Sequence, residues 1–344
     1  MTEEDFVEKI RGKRVLFVTP SDIDYIRNKQ EIGILKEAAK HIDIIAPRNT
    51  HAVRPTGVGR IVLINLKTLF AGMWKYDVIF MAGLPQLMAP FSRFLFARKI
   101  LIIDFFISLY DTLVSDRKVL SERNPLSRIV KWLDRHTLSK ADCVIVDTRA
   151  HAGYFAGMYG VDAAKMAVIY LEADREIYYP RNVPRPEDLR DKFVVFFFGA
   201  MNPLQGVEVI LDAARLLERH ERIVFLIIGP REKVNNLERY SKLRNVRYPA
   251  RWLPQHEVAD YIAMSDVCLA GHFNAAVPKA GRVIPGKAYS YLAMDRPTIL
   301  GDNPANRELF SEGTRNVLFV RMGDPEALAN RIRKMADERS GAKE

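Results

Sequence analysis

Cysteine is scarce in this sequence. The 344 residues include two cysteines, Cys143 and Cys268, which lie far apart and each sit in an apolar run. We expect both to be buried, reduced thiols rather than a disulfide or a catalytic group. The chain contains no CxxC pair, no HExxH motif and no other spacing typical of a metal site. The sequence therefore predicts neither a metal site nor a disulfide framework.

Membrane-spanning and export signals are also missing. No uninterrupted apolar run reaches the roughly 18 residues that a transmembrane helix needs. The N-terminal residues 1–6 are acidic and polar, unlike a signal peptide. We therefore expect a cytoplasmic protein.

Basic residues, by contrast, are in surplus. The chain has 52 basic and 42 acidic residues, a net charge of +10. That surplus suggests an anionic partner, which could be a nucleotide, a nucleic acid or a negatively charged membrane surface. The basic residues are spread along the chain rather than concentrated on one face, which argues against a nucleic acid. The length, with 48% hydrophobic residues, favours two domains.

Apolar runs alternate with helix-like segments through the first half of the chain. A helix is expected from about Asn28 to His41, and the predicted strands are Arg14–Thr19, Asp43–Ala46, Arg60–Ile64, Val78–Met81, Ile100–Asp104 and Cys143–Val146. Continuous apolar strands separated by helices are typical of a parallel sheet covered on both faces. The first half therefore predicts one Rossmann-like domain.

The same pattern restarts in the second half. A segment rich in proline and charge, residues 174–191, reads as an interdomain linker. The strands predicted after it are Phe193–Phe198, Ile223–Ile228, Val267–Ala270, Pro297–Leu300 and Val317–Val320, with helices at Val207–His220 and from about Pro325 to Asp337. This half predicts a second Rossmann-like domain.

The α/β pattern as a whole predicts two doubly wound domains that face a central cleft. We assign residues 1–174 to an N-terminal domain, 175–191 to a linker and 192–325 to a C-terminal domain. Residues 326–344 form a final helix and tail, for which packing back on the N-terminal domain is an option. Ligands of such sheets bind beyond the carboxyl ends of the strands, which would face the cleft.

Two glycine-containing loops follow predicted strands of the C-terminal domain. Gly199 opens the first loop, which runs to Gly206, and Gly229 follows the next strand. Glycine lets backbone amides approach a ligand, and a helix N-terminus adds free N–H groups. A turn that needs glycine only for its geometry is an equal alternative. Trp252 could stack on a base, although a core position is the more common role of a lone tryptophan.

A basic loop follows the predicted strand at 267–270. Lys279, Arg282 and Lys287 fall within nine positions around a Pro-Gly turn, just ahead of an amphipathic run. Three cations and a helix N-terminus could converge on a diphosphate. A charge cluster on a helix is usually a solvated face, but a position at the carboxyl end of a strand favours anion binding.

Polar residues also follow the predicted strand at 100–104 in the first domain. Asp104, Ser108, Tyr110 and Asp111 are expected to point toward the cleft. Asp111 could orient an acceptor hydroxyl or a donor sugar. A helix cap or turn residue is the equal alternative.

Five segments in register resemble the retaining GT-B glycosyltransferases of family GT4. They follow that family's order and spacing and are Ala141–Thr148, Lys165–Pro180, Phe196–Leu217, Ser265–Gly271 and Ile284–Phe310. In the first half, Ile103–Lys118 also resembles a subgroup of these enzymes. The resemblance covers most of the chain and is strongest in its second half.

The resemblance implies a nucleotide-sugar donor bound mainly to the second domain and an acceptor bound mainly to the first. It further implies transfer with retention of anomeric configuration and without a metal or other cofactor. Because the diphosphate leaves, positive charge and backbone dipoles must stabilise it. The expected donor-binding residues are Gly199, Asn202, Gln205, Gly229, Trp252, His272, Lys279, Arg282, Val283, Ile284, Lys287 and Ser290. We expect catalytic roles for Asp111, Arg282 and Lys279.

Two departures from the family pattern affect these expectations. Members usually have arginine and lysine in the loop after the first strand of the second domain, where this chain has Ala200 or Met201, and Gln205. They also commonly carry two glutamates, at positions that match Arg282 and Ser290 here. We infer that the phosphate-binding charge has moved to Lys279 and Arg282. A dead or repurposed enzyme is the alternative.

Residues 84–99 interleave aromatic and basic side chains. Such a face could rest on anionic lipid headgroups, which would make the protein peripheral at the inner face of a membrane and its acceptor a lipid-linked sugar or glycolipid. A helix packed in its own domain is the more common role of such a run.

The leading hypothesis is a glycosyltransferase that moves a sugar from a nucleoside diphosphate to a hydroxyl of a glycan or lipid-linked acceptor. One alternative is a nucleotide-sugar 2-epimerase on the same fold, which would need acid and base groups around the sugar. His272 is the convincing candidate for such a group in the second-domain loops. The other alternative is a non-catalytic relative that binds a nucleotide or glycan.

Overall fold

The computed structural model describes residues 1–47, 64–68, 75–88 and 98–341. The chain divides into two compact units, Met1–Glu172 and Ala173–Glu344, and each is described by itself below.

The first unit is built on a parallel sheet whose six described strands follow the order β2-β1-β3-β4-β5-β6. The strands are β1 Arg14–Val18, β2 His41–Ile45, β3 Val78–Met81, β4 Ile100–Asp104, β5 Cys143–Val146 and β6 Met166–Val168. The helices around it are α1 Glu3–Ile10, α2 Ile26–Ala38, α3 Pro125–Lys140 and α4 Arg149–Tyr159, and a π-helical turn spans Asp111–Asp116. The predicted doubly wound α/β domain is confirmed.

Both faces of this sheet are buried. Leu16 and Val18 of β1 belong to one apolar cluster, and Val15 and Phe17 belong to another. Because successive side chains of a strand point to opposite faces, the two clusters lie on the two sides of the sheet. This explains why the strands read as continuous apolar runs rather than as alternating ones.

The second unit repeats this plan with six strands in the order β12-β11-β10-β7-β8-β9, again all parallel. The strands are β7 Phe193–Phe198, β8 Ile223–Ile228, β9 Val246–Arg247, β10 Val267–Gly271, β11 Thr298–Asp302 and β12 Val317–Arg321. The helices are α5 Val207–Leu216, α6 Gln255–Met264, α7 Gly286–Ala293, α8 Pro304–Leu309 and α9 Pro325–Gly341. One face of the sheet packs against α5 and α9 in a continuous core.

The C-terminal helix α9 belongs to this second core. Its buried residues Leu328, Ala329 and Ile332 pack with the inward side chains of β7 and α5. Its apolar face is thus occupied within the second unit, and packing on the first domain is not needed to bury it. The proline-rich segment 175–191 also belongs to the second unit, where Tyr178 and Leu189 are buried.

Two strands were not expected from the sequence. β6 and β9 are the shortest in their sheets, at three and two residues. Runs this short carry too little periodicity to stand out from neighbouring loops. Most of the strand predicted at 60–64 lies outside the described residues. The two cysteines are buried free thiols, as expected, and burial raises the pKa of Cys143 to about 12.

Candidate functional site

The second sheet has a topological switch point between β7 and β10. The chain runs outward from β7 through β8 to β9 on one side, and from β10 through β11 to β12 on the other. The loops that follow β7 and β10 therefore leave the sheet in opposite directions and open a crevice at the carboxyl ends of these strands. Ligands of open α/β sheets bind at such crevices.

The two loops at this crevice are locked together through Gly206. Gly206 has a left-handed backbone (φ 66°), and a Cβ there would lie 2.6 Å from the backbone nitrogen of Asn274. The backbone N–H of Phe273 donates to the carbonyl of Gln205 at 3.3 Å, and the Asn274 amide donates to the Pro203 carbonyl at 2.9 Å. Glycine is required here because the two loops pack backbone against backbone.

Gly199 and Gly229 are equally confined. A Cβ on Gly229 would collide with the carbonyl oxygen of Gly199 and the side chain of Met201. A Cβ on Gly199 would lie 2.8 Å from Oε1 of Gln205. That Gln205 oxygen is buried and has no hydrogen-bond partner among the described residues. Asn202, half-buried, precedes the turn Pro203–Gln205 that carries this side chain.

Lys287 is the central charge of the crevice. It lies in the first turn of α7, is 8% exposed, and its Nζ sits 4.9 Å from the centre of the Phe197 ring on β7. The same Nζ would lie 3.5 Å from a Cβ on Gly271, the last residue of β10. Within the described part of the chain this ammonium has no ion-pair partner, and burial lowers its pKa to about 7. A buried lysine without an anionic partner thus occupies the switch point.

His272 and the loop after it form one wall of the crevice. The buried His272 adopts a left-handed backbone (φ 59°), and its Nδ1–H donates to the Val283 carbonyl at 3.1 Å. This bond assigns the ring tautomer, because a carbonyl only accepts. Val283 and Ile284 are buried beside it. The contact gives His272 a role in holding the loop.

Lys279 and Arg282 flank the turn before α7. The turn Pro278–Gly281 brings them one short turn apart, with the Arg282 N–H donating to the Lys279 carbonyl at 3.0 Å. Both side chains are half-buried. Lys279 and Arg282 are therefore close neighbours on the loop that leads to Lys287.

Ser290 lies one turn after Lys287 on α7. It is buried, and its side chain hydrogen-bonds the hydroxyl of Tyr178. Burial, partly offset by this bond, raises the pKa of Tyr178 to about 12, so both groups are neutral hydroxyls at physiological pH. No sequence pattern pointed to Tyr178, which is separated from Ser290 by more than a hundred residues.

Trp252 is not a core residue. It is 73% exposed, and the core position favoured for it on general grounds is wrong. Its loop nevertheless borders the crevice side of β8, because Gly229 N–H donates to the Ala250 carbonyl and Arg251 pairs with Glu232 at 2.5 Å. Stacking of Trp252 on a base stays a prediction.

In the first unit, the residues that follow β4 are engaged inside the domain. Asp104 is fully buried and pairs with Arg27 at 3.2 Å, and the Ser108 hydroxyl donates to Asp134 at 2.7 Å. Both residues were expected to point toward the cleft. Their side chains are instead buried inside the first unit, where these partners hold them.

Asp111 is also fully buried. It opens the π-helical turn, its N–H donates to the Ser108 hydroxyl at 2.9 Å, and the Tyr154 hydroxyl donates to its Oδ1 at 3.4 Å. This arrangement resembles the turn residue considered as its alternative role. A catalytic role for Asp111 stays a prediction that its burial does not support.

Sequence reasoning missed the buried polar residues that organise the first unit. Asp134 on α3 accepts hydrogen bonds from the side chains of Gln86, Ser108 and Tyr159 and from the N–H groups of Leu109 and Tyr110. Burial raises its pKa. A single aspartate in a helix that otherwise reads as amphipathic gives no signal of such a network.

No helix in the described part of the chain has the length and apolar character to cross a membrane. Across the same residues, no group of three or more His, Cys, Asp or Glu side chains could hold a metal ion. A reaction without a metal stays an expectation.

Both halves of the chain match known protein families. Residues 192–338 match the family model described as glycosyl transferases group 1, and residues 45–172 match a glycosyl transferase 4-like domain. The probable glycosyltransferase WbjE of Pseudomonas aeruginosa is 32% identical over 195 residues, which cover 53% of this chain and 46% of that protein. The match thus spans under half of that relative's length.

Solved structures resemble the whole described chain. HepE of Anabaena, solved in complex with UDP and glucose, superposes with a TM-score of 0.64 at 16% identity and covers 95% of this chain and 91% of its own. Sucrose-phosphate synthase of Thermosynechococcus elongatus gives a TM-score of 0.67 at 13% identity, covering 95% of this chain and 90% of its own. At such identities the likeness is one of fold.

Proposed function

The chain belongs to the GT4-like glycosyltransferases, with the GT-B fold of that group, and from this premise we propose its reaction. We propose that it moves a sugar from a nucleoside diphosphate sugar to a hydroxyl of a glycan or lipid-linked acceptor, with retention of anomeric configuration. The observation that carries this proposal is Lys287, a buried and unpaired ammonium at the switch point of the second sheet.

The diphosphate of the donor is the anion that Lys287 lacks. A buried cation without a partner is costly, so its pKa falls, and a nearby negative charge restores the charged form. The diphosphate becomes more negative as its bond to the sugar breaks. A preformed ammonium in a site of low dielectric stabilises that developing charge. Lys287 therefore serves both binding and departure of the leaving group.

The surrounding backbone suits the same ligand. The glycines at 199, 206 and 229 let the loops at these strand ends pack tightly against one another, which forms the wall of the crevice that a diphosphate would enter. The first N–H groups of α7 add a positive dipole end beside Lys287. Lys279 and Arg282 lie on the loop that enters α7, where they would add charge to the same anion.

The hydroxyl pair of Ser290 and Tyr178 takes the place of a glutamate in this proposal. A carboxylate at position 290 would accept hydrogen bonds from the two ribose hydroxyls. Two linked neutral hydroxyls can donate and accept, but without the added strength of an ionised acceptor. We therefore expect ribose recognition to be weaker here and diphosphate recognition to carry more of the donor affinity.

The proposal is tested by measuring donor binding by thermal shift. A panel of uridine, guanosine, adenosine and thymidine diphosphate sugars should contain a ligand that raises the midpoint of unfolding. At 100 times its Kd such a ligand stabilises by about 2.7 kcal/mol. UDP-glucose is the first compound to try, because HepE was solved with UDP and glucose. No shift with any member of the panel would contradict the proposed donor class.

Incubation with the donor alone separates the reaction types. Slow release of the free sugar without acceptor supports a transferase, because water then replaces the acceptor hydroxyl. Conversion of the bound sugar to its 2-epimer would instead favour the epimerase. Tight binding with neither product, including in the presence of candidate acceptors, would favour the non-catalytic relative.

A further inference from the structure

Helix α3 exposes apolar side chains on the face that points away from its domain. Its buried face carries Ser127, Asp134 and Leu138. Leu126, Ile129 and Trp132 are 54%, 53% and 56% exposed. Because they are spaced three residues apart, these three form one stripe along the helix, called the exposed stripe below.

The exposed stripe cannot turn inward. Asp134 is fully buried and holds five hydrogen bonds to other parts of the first unit, which fixes the rotation of α3 about its axis. The start of the helix is fixed too, because the Asn124 side chain accepts from the Leu126 N–H at 2.9 Å and the Ser127 hydroxyl donates to the Ser121 carbonyl at 2.6 Å. The stripe is a rigid surface feature.

The segment around the stripe is strongly basic. Residues 117–140 contain seven basic residues and two acidic ones, of which Asp134 is buried. The basic residues are Arg117, Lys118, Arg123, Arg128, Lys131, Arg135 and Lys140. Within the described ranges none of these seven forms an ion pair, whereas exposed arginines elsewhere, such as Arg251 and Arg315, pair with carboxylates. The surplus charge of this face is uncompensated.

We propose that the exposed stripe and its basic flank dock on a surface of anionic lipid. Tryptophan, leucine and isoleucine at the centre of a helix face are suited to the boundary between headgroups and acyl chains. Arginine and lysine on the flank attract the negative headgroups. A second copy of this chain is a poorer occupant, because it brings the same basic segment and a net charge of +10.

This surface differs from residues 84–99, the run in which a membrane contact was predicted. Residues 89–97 of that run lie outside the described residues, so that prediction remains open. Docking through α3 would hold the first unit at a membrane. Taken with the proposed function, on which this step rests, that position favours the lipid-linked class of acceptor.

Vesicle binding by the full-length chain tests the proposal without any need for activity. The chain is mixed with vesicles of phosphatidylcholine alone or with about 30% phosphatidylglycerol, chosen for a clear surface charge, and the bound fraction is measured by sedimentation. We expect binding to the anionic vesicles only. It should fall as salt is raised from about 0.05 to 0.5 M, because salt screens the headgroups.

Two double variants should lower the vesicle partition coefficient. Ile129→Ser with Trp132→Ser removes two of the three apolar side chains of the exposed stripe, and Arg128→Glu with Arg135→Glu reverses part of the flank. Each should cost about tenfold or more in partitioning to anionic vesicles. The matched controls lie in the second unit: Leu216→Ser for an exposed apolar residue, and Arg333→Glu with Lys334→Glu for the same change of charge. The controls should bind like the parent chain.

Four outcomes would overturn the proposal. The parent chain could fail to bind anionic vesicles, or bind neutral vesicles equally well. The stripe variant could bind as tightly as its Leu216→Ser control while remaining folded by circular dichroism. Light scattering could also show a dimer that the stripe variant abolishes, which would make this face a contact between copies. Donor binding, measured separately, should be unchanged in both double variants, so failure here is distinct from failure of the proposed function.

Discussion

The two units of this chain place buried charge in opposite ways. In the first unit, Arg27 is almost fully buried but lies 3.2 Å from both Asp104 and Glu31, and it donates to the Ile169 carbonyl at 2.6 Å. In the second unit, Lys287 is also buried, but its ammonium contacts an aromatic ring and glycine backbone instead of a carboxylate. The charge of Arg27 is thus balanced by carboxylates within the protein, whereas the charge of Lys287 is balanced only when an anion binds.

This contrast separates a charge that supports the fold from a charge that supports binding. Burial opposes the charge of Arg27, but the carboxylates of Asp104 and Glu31 raise its pKa. For Lys287 burial is the one cause acting, and the pKa falls to about 7. A chain that keeps an unpaired buried lysine gives up stability that a bound ligand restores.

The largest expected effect is on the first unit. Arg27→Met leaves Glu31 and Asp104 buried without their cation, and removing one partner of a buried ion pair costs about 3–5 kcal/mol. Urea unfolding should show this loss in free energy of unfolding, with no change in donor affinity. Arg14→Met, which removes an exposed arginine paired with Asp77, is the control and should unfold like the parent chain. An Arg27 variant of parental stability would show that the buried pair contributes nothing.

Lys287→Met should act in the opposite direction on stability. Replacing a desolvated cation by an apolar side chain of similar length should raise the free energy of unfolding of the unliganded chain by about 1–3 kcal/mol at pH 7. The same variant should lose about tenfold to a hundredfold in affinity for the donor, as a charge-assisted contact is removed. Calorimetry and urea unfolding measure the two effects. Lys334→Met, on the exposed face of α9, should change neither. A destabilised Lys287→Met chain would contradict an unpaired ammonium.

The pH dependence follows from the same pKa. Lys287 has a folded pKa of about 7, below its ordinary value of 10.5, so the unfolded chain binds more protons between these values. Stability of the unliganded chain should therefore gain a contribution as pH rises through this window, by up to about 1.4 kcal/mol per pH unit. Donor affinity should fall over the same window, because the ligand binds the charged form. Denaturant melts from pH 7 to 10 that are identical for the parent and Lys287→Met would rule this out.

The smallest expected effect on stability and donor affinity is that of a substitution at Gly271. Its left-handed backbone (φ 81°) strains any other residue by about 1–2 kcal/mol, and an added Cβ would lie 3.2 Å from the Phe197 ring and 3.5 Å from Lys287 Nζ. Gly271→Ala should lower stability and weaken donor binding a few-fold. Gly12→Ala is the matched control, since it shares the backbone strain (φ 68°) but meets no described atom within 4 Å. Equal donor affinities in the two variants would remove Gly271 from the site.

The sequence was sufficient for ten of the twelve described strands and for the loops at their carboxyl ends. Continuous apolar runs such as Phe193–Phe198 and Ile223–Ile228 match the observed strands at both ends, because a strand covered on both faces requires such runs. The basic loop before α7 was also found. A Pro-Gly turn between a strand and an amphipathic run marks a helix start whatever the rest of the fold does.

The sequence did not show which residues form ion pairs or hydrogen bonds with one another. Arg27 hydrogen-bonds Asp104, which lies 77 positions later in the sequence. The Ser290 hydroxyl hydrogen-bonds Tyr178, and several helices and strands separate the two residues along the chain. Contacts of this kind depend on how the strands are ordered in the sheet. For the same reason the sequence grouped Lys287 with Lys279 and Arg282 by spacing, and did not show that Lys287 alone of the three is nine-tenths buried.

The exposure of Trp252 and Trp132 also differs from what their residue type suggests. A tryptophan usually packs inside, yet both are exposed here. For Trp132 the cause is a residue two positions later, because the hydrogen bonds of Asp134 fix which side of α3 faces the domain. Amphipathic periodicity alone favours the apolar side as the inner one.

Proton uptake on donor binding is the most direct test of the central claim, which is that Lys287 binds the diphosphate of the donor. Calorimetric titration of the nucleoside diphosphate sugar found in the panel, in buffers of different ionisation enthalpy at pH 7.5, gives the number of protons exchanged. A sugar diphosphate diester has no titrating phosphate proton near this pH. Because Lys287 is largely neutral when unliganded and charged when the anion is bound, we predict uptake of about half a proton or more. Lys287→Met should take up none. Equal uptake by the parent chain and Lys287→Met, or none by either, would contradict the account.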